Sequence, residues 1–418
     1  MIPLSLAEVA ELCPGSTLLP RGVADRVTGV DIDSRRIEPG HLFVAVGRGR
    51  EFVEEALARG AAAALLAPDP QAALAAIAGA VRERARAKVV AITGSTGKTS
   101  TKDILAAICR ARARTVAAPA SFNNELGVPL TLCRIEPDTE VCIVEMAMRG
   151  HGQIASLCEI ARPEVGVVTN VGPAHLELVG SIEGVIKAKS ELIAALPKGG
   201  VAIVPDGFPV SRDDVRVIRV GDPEARVDGD VTRLHFRGRE IELSFSARHQ
   251  ARNALCALHA AHALGIEPEK RVEVSFSPWR GEERPLPGGG LLLNDCWNAN
   301  PVSMRAALEH LAERARGRRL VCVLGDMAEL GPAAADYHRQ AGALAASLGV
   351  AALVAVGSLA RFYLEGARGV PLRRRVRTAE EAAEALQALL QPGDCVLVKG
   401  SRSVGLERVA EAVATVAI

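Results

Sequence analysis

The chain has 418 residues, 49% of them hydrophobic and 24% charged, with a formal net charge of +1. That length fits two to four domains, and the composition excludes a disordered chain, a collagen-like repeat and a disulfide-stapled miniprotein. A charge so close to neutral leaves no electrostatic footprint for nucleic acid as a main partner.

Residues 1–85 alternate short strand-like runs (VTGVDI, HLFVAV, AAALLA) with one helical pattern, EFVEEALARGA, and read as a small α/β domain. From Val89 the pattern becomes a βα repeat. The runs VVAIT, VCIVEMA, VGVVTNV and VAIVP read as parallel strands buried on both faces, with helices such as TSTKDILAAICRA and GVIKAKSELIAAL between them. VTRLHFRGREIELSF alternates with period two around a turn, as an antiparallel hairpin would. ARHQARNALCALHAAHALG then forms a long helix closed by Gly265. Beyond Pro278, the strands GLLLND, RRLVCVLGD, AALVAVG and DCVLVKG alternate with helical segments, which describes a second doubly wound sheet. The expected architecture is three α/β domains in series. They are residues 1–85, a central phosphate-loop domain with a parallel sheet over 86–277, and a C-terminal doubly wound, Rossmann-like domain over 278–418.

No uninterrupted apolar run reaches the roughly 18–20 residues that span a bilayer. The start, MIPLSLAEVAELCPG, lacks the basic region of a signal peptide. Nine cysteines lie scattered without C-x-x-C spacing, so buried free thiols in a reducing, cytoplasmic setting are expected.

The strongest chemical signal is Gly94-Ser95-Thr96-Gly97-Lys98-Thr99-Ser100, which follows a buried strand and opens a helix. Glycines let backbone N–H groups turn toward an anion, and the helix N-terminus adds a favourable dipole. Lys98 can reach the β- and γ-phosphates and the Thr99 hydroxyl can ligate Mg²⁺. The loop is shorter than the usual G-x-x-x-x-G-K-[ST], because position 92 is isoleucine. A nucleoside triphosphate site calls for a metal-holding acid at a neighbouring strand end, and Glu145, closing VCIVEMA, is placed for that.

Taken with Ser121-Phe122-Asn123-Asn124-Glu125-Leu126-Gly127, Glu145-Met146 and Thr169-Asn170-Val171-Gly172-Pro173-Ala174-His175, this loop resembles the Mur ligases of bacterial cell-wall synthesis. Three downstream runs look like the branch that joins D-alanyl-D-alanine to UDP-N-acetylmuramoyl-tripeptide. They are Asp295-Cys296-Trp297-Asn298-Ala299-Asn300-Pro301, Gly325-Asp326-Met327-Ala328-Glu329-Leu330-Gly331 and Lys399-Gly400-Ser401-Arg402. The resemblance implies an ATP-dependent ligase. ATP would phosphorylate the terminal carboxylate of the tripeptide, and the amine of D-alanyl-D-alanine would displace phosphate from the acyl phosphate.

It also implies roles for individual residues. Thr99 and Glu145 would hold one Mg²⁺, and His175 a second, together with Lys189 carrying a CO₂-derived carbamate. Asn253 would contact adenine. Asp295, Asn298 and Asn300 would meet the nucleotide from the third domain, and Arg280, with Arg284 as the alternative, would reach the phosphates. Ser34 and Arg35 in the first domain, with Asn123 and Asn124, would face the UDP-substrate. A cytoplasmic monomer with small-molecule partners is expected, whose third domain rotates to exclude water from the acyl phosphate.

The sequence departs from the family at several points. Trp279 stands where a glycine usually precedes the arginine, Cys296-Trp297 stands for Ser-Tyr, and the loop Gly47–Phe52 lacks an Asp-Gly-His element. The Asp-Asn-Pro-Arg segment of the ligase adding the third amino acid is absent. A phosphate-loop switch or binding protein without ligase chemistry is the rival from another class. It would have no use for His175, Lys189 and a third-domain cleft together.

Overall fold

The computed structural model describes residues 1–22, 25–174 and 176–414. Four larger sheets succeed one another along the chain. The first has the order Thr17–Pro20, Ala63–Leu66, His41–Val44, Gly29–Asp31. Its last three strands run parallel, and Thr17–Pro20 pairs antiparallel at the edge. The helix Pro70–Arg84 leads out of this unit, started by Asp69, whose side chain accepts from the backbone N–H groups of Gln71 and Ala72.

That helix is pinned to the next unit by Arg82, which is almost fully buried. Its guanidinium donates to the carbonyls of Ala161 (2.8 Å), Ala87 (3.2 Å) and Arg162 (3.1 Å) and to the Glu164 carboxylate (2.8 Å). With a longer contact to the Ala85 carbonyl (3.5 Å), every donor of the buried cation is answered.

The central sheet has six parallel strands in the order Arg216–Val220, Val201–Pro205, Val165–Val168, Lys88–Thr93, Val141–Glu145, Thr115–Ala117. Val89, Val90, Ala91 and Ile92 are wholly buried, as a strand covered by helices on both faces requires. The hairpin Val231–Phe236 and Arg239–Leu243 forms within a small four-stranded sheet, and the helix Ala251–Ala263 lies against Lys98–Arg110.

The C-terminal sheet has the order Glu282–Leu286, Gly290–Asp295, Cys395–Lys399, Leu320–Gly325, Ala352–Val356, Leu372–Val376. All neighbours are parallel except the first pair. The two edge strands are absent from the sequence reading. Glu282–Leu286 contains Pro285 and Leu372–Val376 contains three arginines. Proline and exposed charge are both features of edges, where one row of backbone groups is left unpaired. The expected fold class, three α/β domains with a phosphate-loop parallel sheet and a doubly wound C-terminal sheet, is the one observed.

All nine cysteines are free and buried. Burial pushes the thiols of Cys109, Cys133, Cys142, Cys158 and Cys256 up to about 12. Among the described residues no helix is long and apolar enough to cross a membrane.

Candidate active site

The strand Lys88–Thr93 delivers the phosphate loop, and the helix Lys98–Arg110 starts from it. Gly94 (φ +151°) and Gly97 (φ +77°) adopt backbone conformations that L side chains rarely take. A Cβ at Gly94 would stand 1.9 Å from Thr169 Oγ1, so the loop is also sterically closed there. The turn after Val165–Val168 braces the loop from the side. Thr169 Oγ1 donates to the Thr96 carbonyl (2.5 Å), Asn170 Oδ1 accepts from Thr96 N (2.9 Å), and Ser95 Oγ contacts the Gly172 backbone at 3.0 Å. Thr169, Asn170 and Gly172 are positioning residues that sequence reasoning quoted only as part of a motif. Their pairing with residues 73 to 77 positions away is invisible locally.

At the loop's end Thr99 Oγ1 donates to Glu145 Oε2 at 2.6 Å, and both residues are 1% exposed. Asn123 Nδ2 donates to the other Glu145 oxygen at 2.8 Å. Asn124 instead turns its side chain to the backbone N–H of Gly127 (3.0 Å), at the start of the helix Gly127–Leu132. A buried carboxylate beside a hydroxyl, with no cation among the described residues hydrogen-bonded to it, is a hard-oxygen donor set of the kind Mg²⁺ completes with phosphate oxygens and water.

Lys98 Nζ folds back onto the Gly94 carbonyl at 2.8 Å. Burial lowers the ammonium's pKa and nearby Arg280 lowers it further, against the pull of Glu145. Lys189, on the helix Ile182–Ala194, is 2% exposed. Burial, with Lys98 nearby, drives its pKa well below the usual lysine value. His175 lies outside the described residues. Among the described residues no group of three or more His, Cys, Asp or Glu side chains converges on a metal-sized space.

The third domain faces this loop. Asn300 caps the helix Pro301–Ala315, accepting from Ser303 N (2.9 Å), and its Nδ2 donates across the cleft to the Ser95 carbonyl at 3.3 Å. Asp295, at the end of Gly290–Asp295, pairs with Lys399 Nζ at 2.5 Å. The same ammonium reaches the carbonyl of Asn298, whose side chain accepts from Ala299 N. Lys399, 1% exposed, thus holds the loop after Asp295 in place. Arg280 sits in the cleft, where burial lowers its pKa against the attraction of Glu145, Asp295 and Asp103. Arg284 is committed elsewhere, donating to Glu282 at 2.7 Å.

Asn253, buried on Ala251–Ala263, donates to Gln250 Oε1 at 2.6 Å and presses against Gly97. Beyond it, His249 and His310 meet edge to face (5.6 Å) where the central and third domains touch. There Glu283 accepts from Ser246 (2.5 Å) and from Arg314 Nε (2.9 Å). Burial works against the Glu283 carboxylate, yet His310, Arg314 and Ser246 hold it at about 2. In the first domain, Ser34 is buried on Glu55 (3.2 Å) while Arg35 lies exposed against Asp33 (2.7 Å).

A phosphate loop on one α/β domain, overhung by cations and amides from a second, defines a phosphate-loop ATPase whose site is completed between domains. Residues 92–261 match the Mur ligase middle domain and residues 280–402 the Mur ligase glutamate ligase domain. The chain is 36% identical to the UDP-N-acetylmuramoyl-tripeptide–D-alanyl-D-alanine ligase of Mycobacterium bovis over 499 aligned residues, covering 99% of this chain and 98% of that one. It is 32% identical to the ligase of the same name from Escherichia coli, at 99% and 98% coverage. Among solved structures it is similar to MurF from Acinetobacter baumannii, with a TM-score of 0.83, 27% identity and 98% of each chain covered. MurF from Thermotoga maritima in complex with ADP gives 0.78 at 26% identity, covering 92% and 96%. The chain belongs to the Mur ligase family and is an ATP-dependent, peptide-bond-forming ligase.

Proposed function

We propose that this ligase joins D-alanyl-D-alanine to the terminal carboxylate of UDP-N-acetylmuramoyl-tripeptide in the cytoplasm, acting as a monomer of three domains divided near residues 85 and 277. The observation that carries this reading is the full-length similarity to relatives of that activity, combined with a cleft in which Arg280 and Asn300 overhang the Lys98 loop. A carboxylate is a poor acyl donor because its leaving group would be oxide. The γ-phosphoryl group of ATP therefore passes to it first, and the amine of the dipeptide then expels phosphate from the tetrahedral adduct.

The chain's residues act at defined points. The backbone N–H groups of Gly94–Ser100 cradle the phosphates, and Lys98 leaves the Gly94 carbonyl to meet them. Arg280 closes on the transferring group from the opposite side, and two cations flanking it offset the repulsion between ATP and the substrate carboxylate. Asn253 meets the adenine, while Asp295, Asn298 and Asn300 meet the nucleotide from the third domain. Ser34 and Arg35 face the UDP end, with Asn123 and Asn124 nearer the reacting carboxylate.

Thr99 and Glu145 would hold one Mg²⁺, and His175 with a carbamate on Lys189 a second. These ions supply charge neutralisation between two anions. The environment of Lys189 favours that modification. A buried, deprotonated amine is the form that adds CO₂, and the resulting anion would attract Lys98 where the ammonium repels it.

The test is stoichiometric. ATP consumption must require the tripeptide nucleotide and D-alanyl-D-alanine together, hydroxylamine must trap a hydroxamate, and mass spectrometry must show the pentapeptide. ATP hydrolysis at full rate without either substrate would refute the ligase reading in favour of a switch.

A further inference from the structure

The chain has two tryptophans, and both lie on one side of the cleft. Trp279 and Trp297 stack with ring centroids 5.8 Å apart and an interplanar angle of 18°. Trp297 N donates to the Trp279 carbonyl at 3.2 Å, so the two segments are tied through the backbone as well. Trp279 takes φ +63°, a left-handed conformation that a bulky residue adopts only where its surroundings impose it. Arg402 lies over both rings, 4.6 Å from Trp279 and 5.5 Å from Trp297, and is anchored by Glu407 at 2.6 Å. On the cleft side, the Arg280 guanidinium stands 5.5 Å from the Trp297 centroid.

Arg280 makes no hydrogen bond or ion pair among the described residues, although Glu145 and Asp295 both attract it. A free arginine in such company would fall onto one of those carboxylates. Either fall would take the phosphate's counter-charge out of service, and a fall onto Glu145 would occupy the metal-holding acid as well. An aromatic face attracts a guanidinium through its π-electrons and consumes none of its five N–H donors. All of them stay available for phosphate oxygens.

We infer that the Trp279–Trp297 stack, backed by Arg402, is the mount that aims Arg280 into the phosphate cleft, which makes Trp297 a positioning residue for phosphoryl transfer. The inference rests on the phosphate-contacting role proposed for Arg280, and the test separates the two. Arg280→Ala should lower kcat by about 100-fold or more, the scale of losing one preorganised donor. Trp297→Leu should lower kcat about tenfold with the KM for the tripeptide nucleotide unchanged, while Trp297→Phe, which keeps an aromatic face, stays within about threefold. The double variant Arg280→Ala/Trp297→Leu should be no slower than Arg280→Ala alone. Added guanidinium chloride should restore turnover to Arg280→Ala and not to the double variant, because only the former keeps the face on which free guanidinium settles.

Trp279→Gly, which suits the left-handed backbone, removes half of the stack without strain and should also lower kcat. As a control, Phe362→Leu dismantles the distant stack with Arg339 (4.7 Å) and Arg361 (4.4 Å) and should leave kcat unchanged. Multiplicative losses in the double variant, equal rescue of both proteins by guanidinium, or an equal loss in Phe362→Leu would each overturn the mount while leaving the role of Arg280 intact. Full activity of Arg280→Ala would instead remove that role and the mount with it.

Discussion

Replacing Gly97 by alanine would test the phosphate loop through steric terms that can be summed from the structure. The residue sits at φ +77°, and moving a side chain into left-handed backbone costs about 1–2 kcal/mol. The new Cβ would also stand 2.3 Å from Asn253 Oδ1 and 2.8 Å from its Cγ, far inside contact distance. Asn253 cannot yield freely. It is buried and donates at 2.6 Å to Gln250, and breaking that bond costs about 1 kcal/mol, more if a donor is orphaned. Together these give about 2–4 kcal/mol, a loss in ADP affinity of about 30-fold to about 1,000-fold if the loop must distort to bind. Calorimetric titration of ADP reads the affinity, and thermal melting of the unliganded protein reads what is absorbed by stability instead. An alanine variant that bound ADP within threefold of wild type and melted at the same temperature would refute the claim that this contact shapes the loop.

Three further outcomes are expected. Lys189→Ala should abolish ligation, and added short carboxylates should restore part of it. Full activity of the unrescued variant, measured as phosphate release, would remove the carbamate from the account. Glu283 has a folded pKa of about 2 against an ordinary 4.5, so its interdomain contribution is present above about pH 4.5 and lost as pH falls toward 2. Melting curves of wild type and Glu283→Gln should accordingly differ at neutral pH and converge across that window. Arg82→Ala strips five hydrogen bonds from the junction between Pro70–Arg84 and the central domain and leaves the Glu164 carboxylate without its cationic partner, costing about 3 kcal/mol by chemical denaturation. A change under 1 kcal/mol would mean the junction is held by packing alone.

The interior strands of both large sheets were legible because burial on two faces writes itself as an unbroken apolar run; Val89–Ile92 and Val321–Leu324 are examples. The arginine-rich strand Leu372–Val376 was not, since an edge strand is made by its neighbour Ala352–Val356 and carries no pattern of its own. The phosphate loop was local chemistry on a strand-to-helix turn and needed no partner to be seen. Its bracing by Thr169 and Asn170, and the reach of Asn300 to Ser95 across 205 residues, are tertiary facts to which no spacing points. Likewise Trp279 stood out in the sequence only as an oddity beside Arg280. Its meaning depends on Trp297, which folding brings to it.

The sealed thiols carry a practical consequence. A thiol-directed alkylating reagent finds no cysteine within reach on the native surface, and deprotonation, which sets the rate of attack, is suppressed in the interior. Labelling therefore becomes a chronometer of opening. Because Cys13, the group from Cys109 to Cys256, and Cys296, Cys322 and Cys395 fall in successive α/β units along the chain, the order in which modified peptides appear under mild denaturant would chart which part of the molecule lets go first.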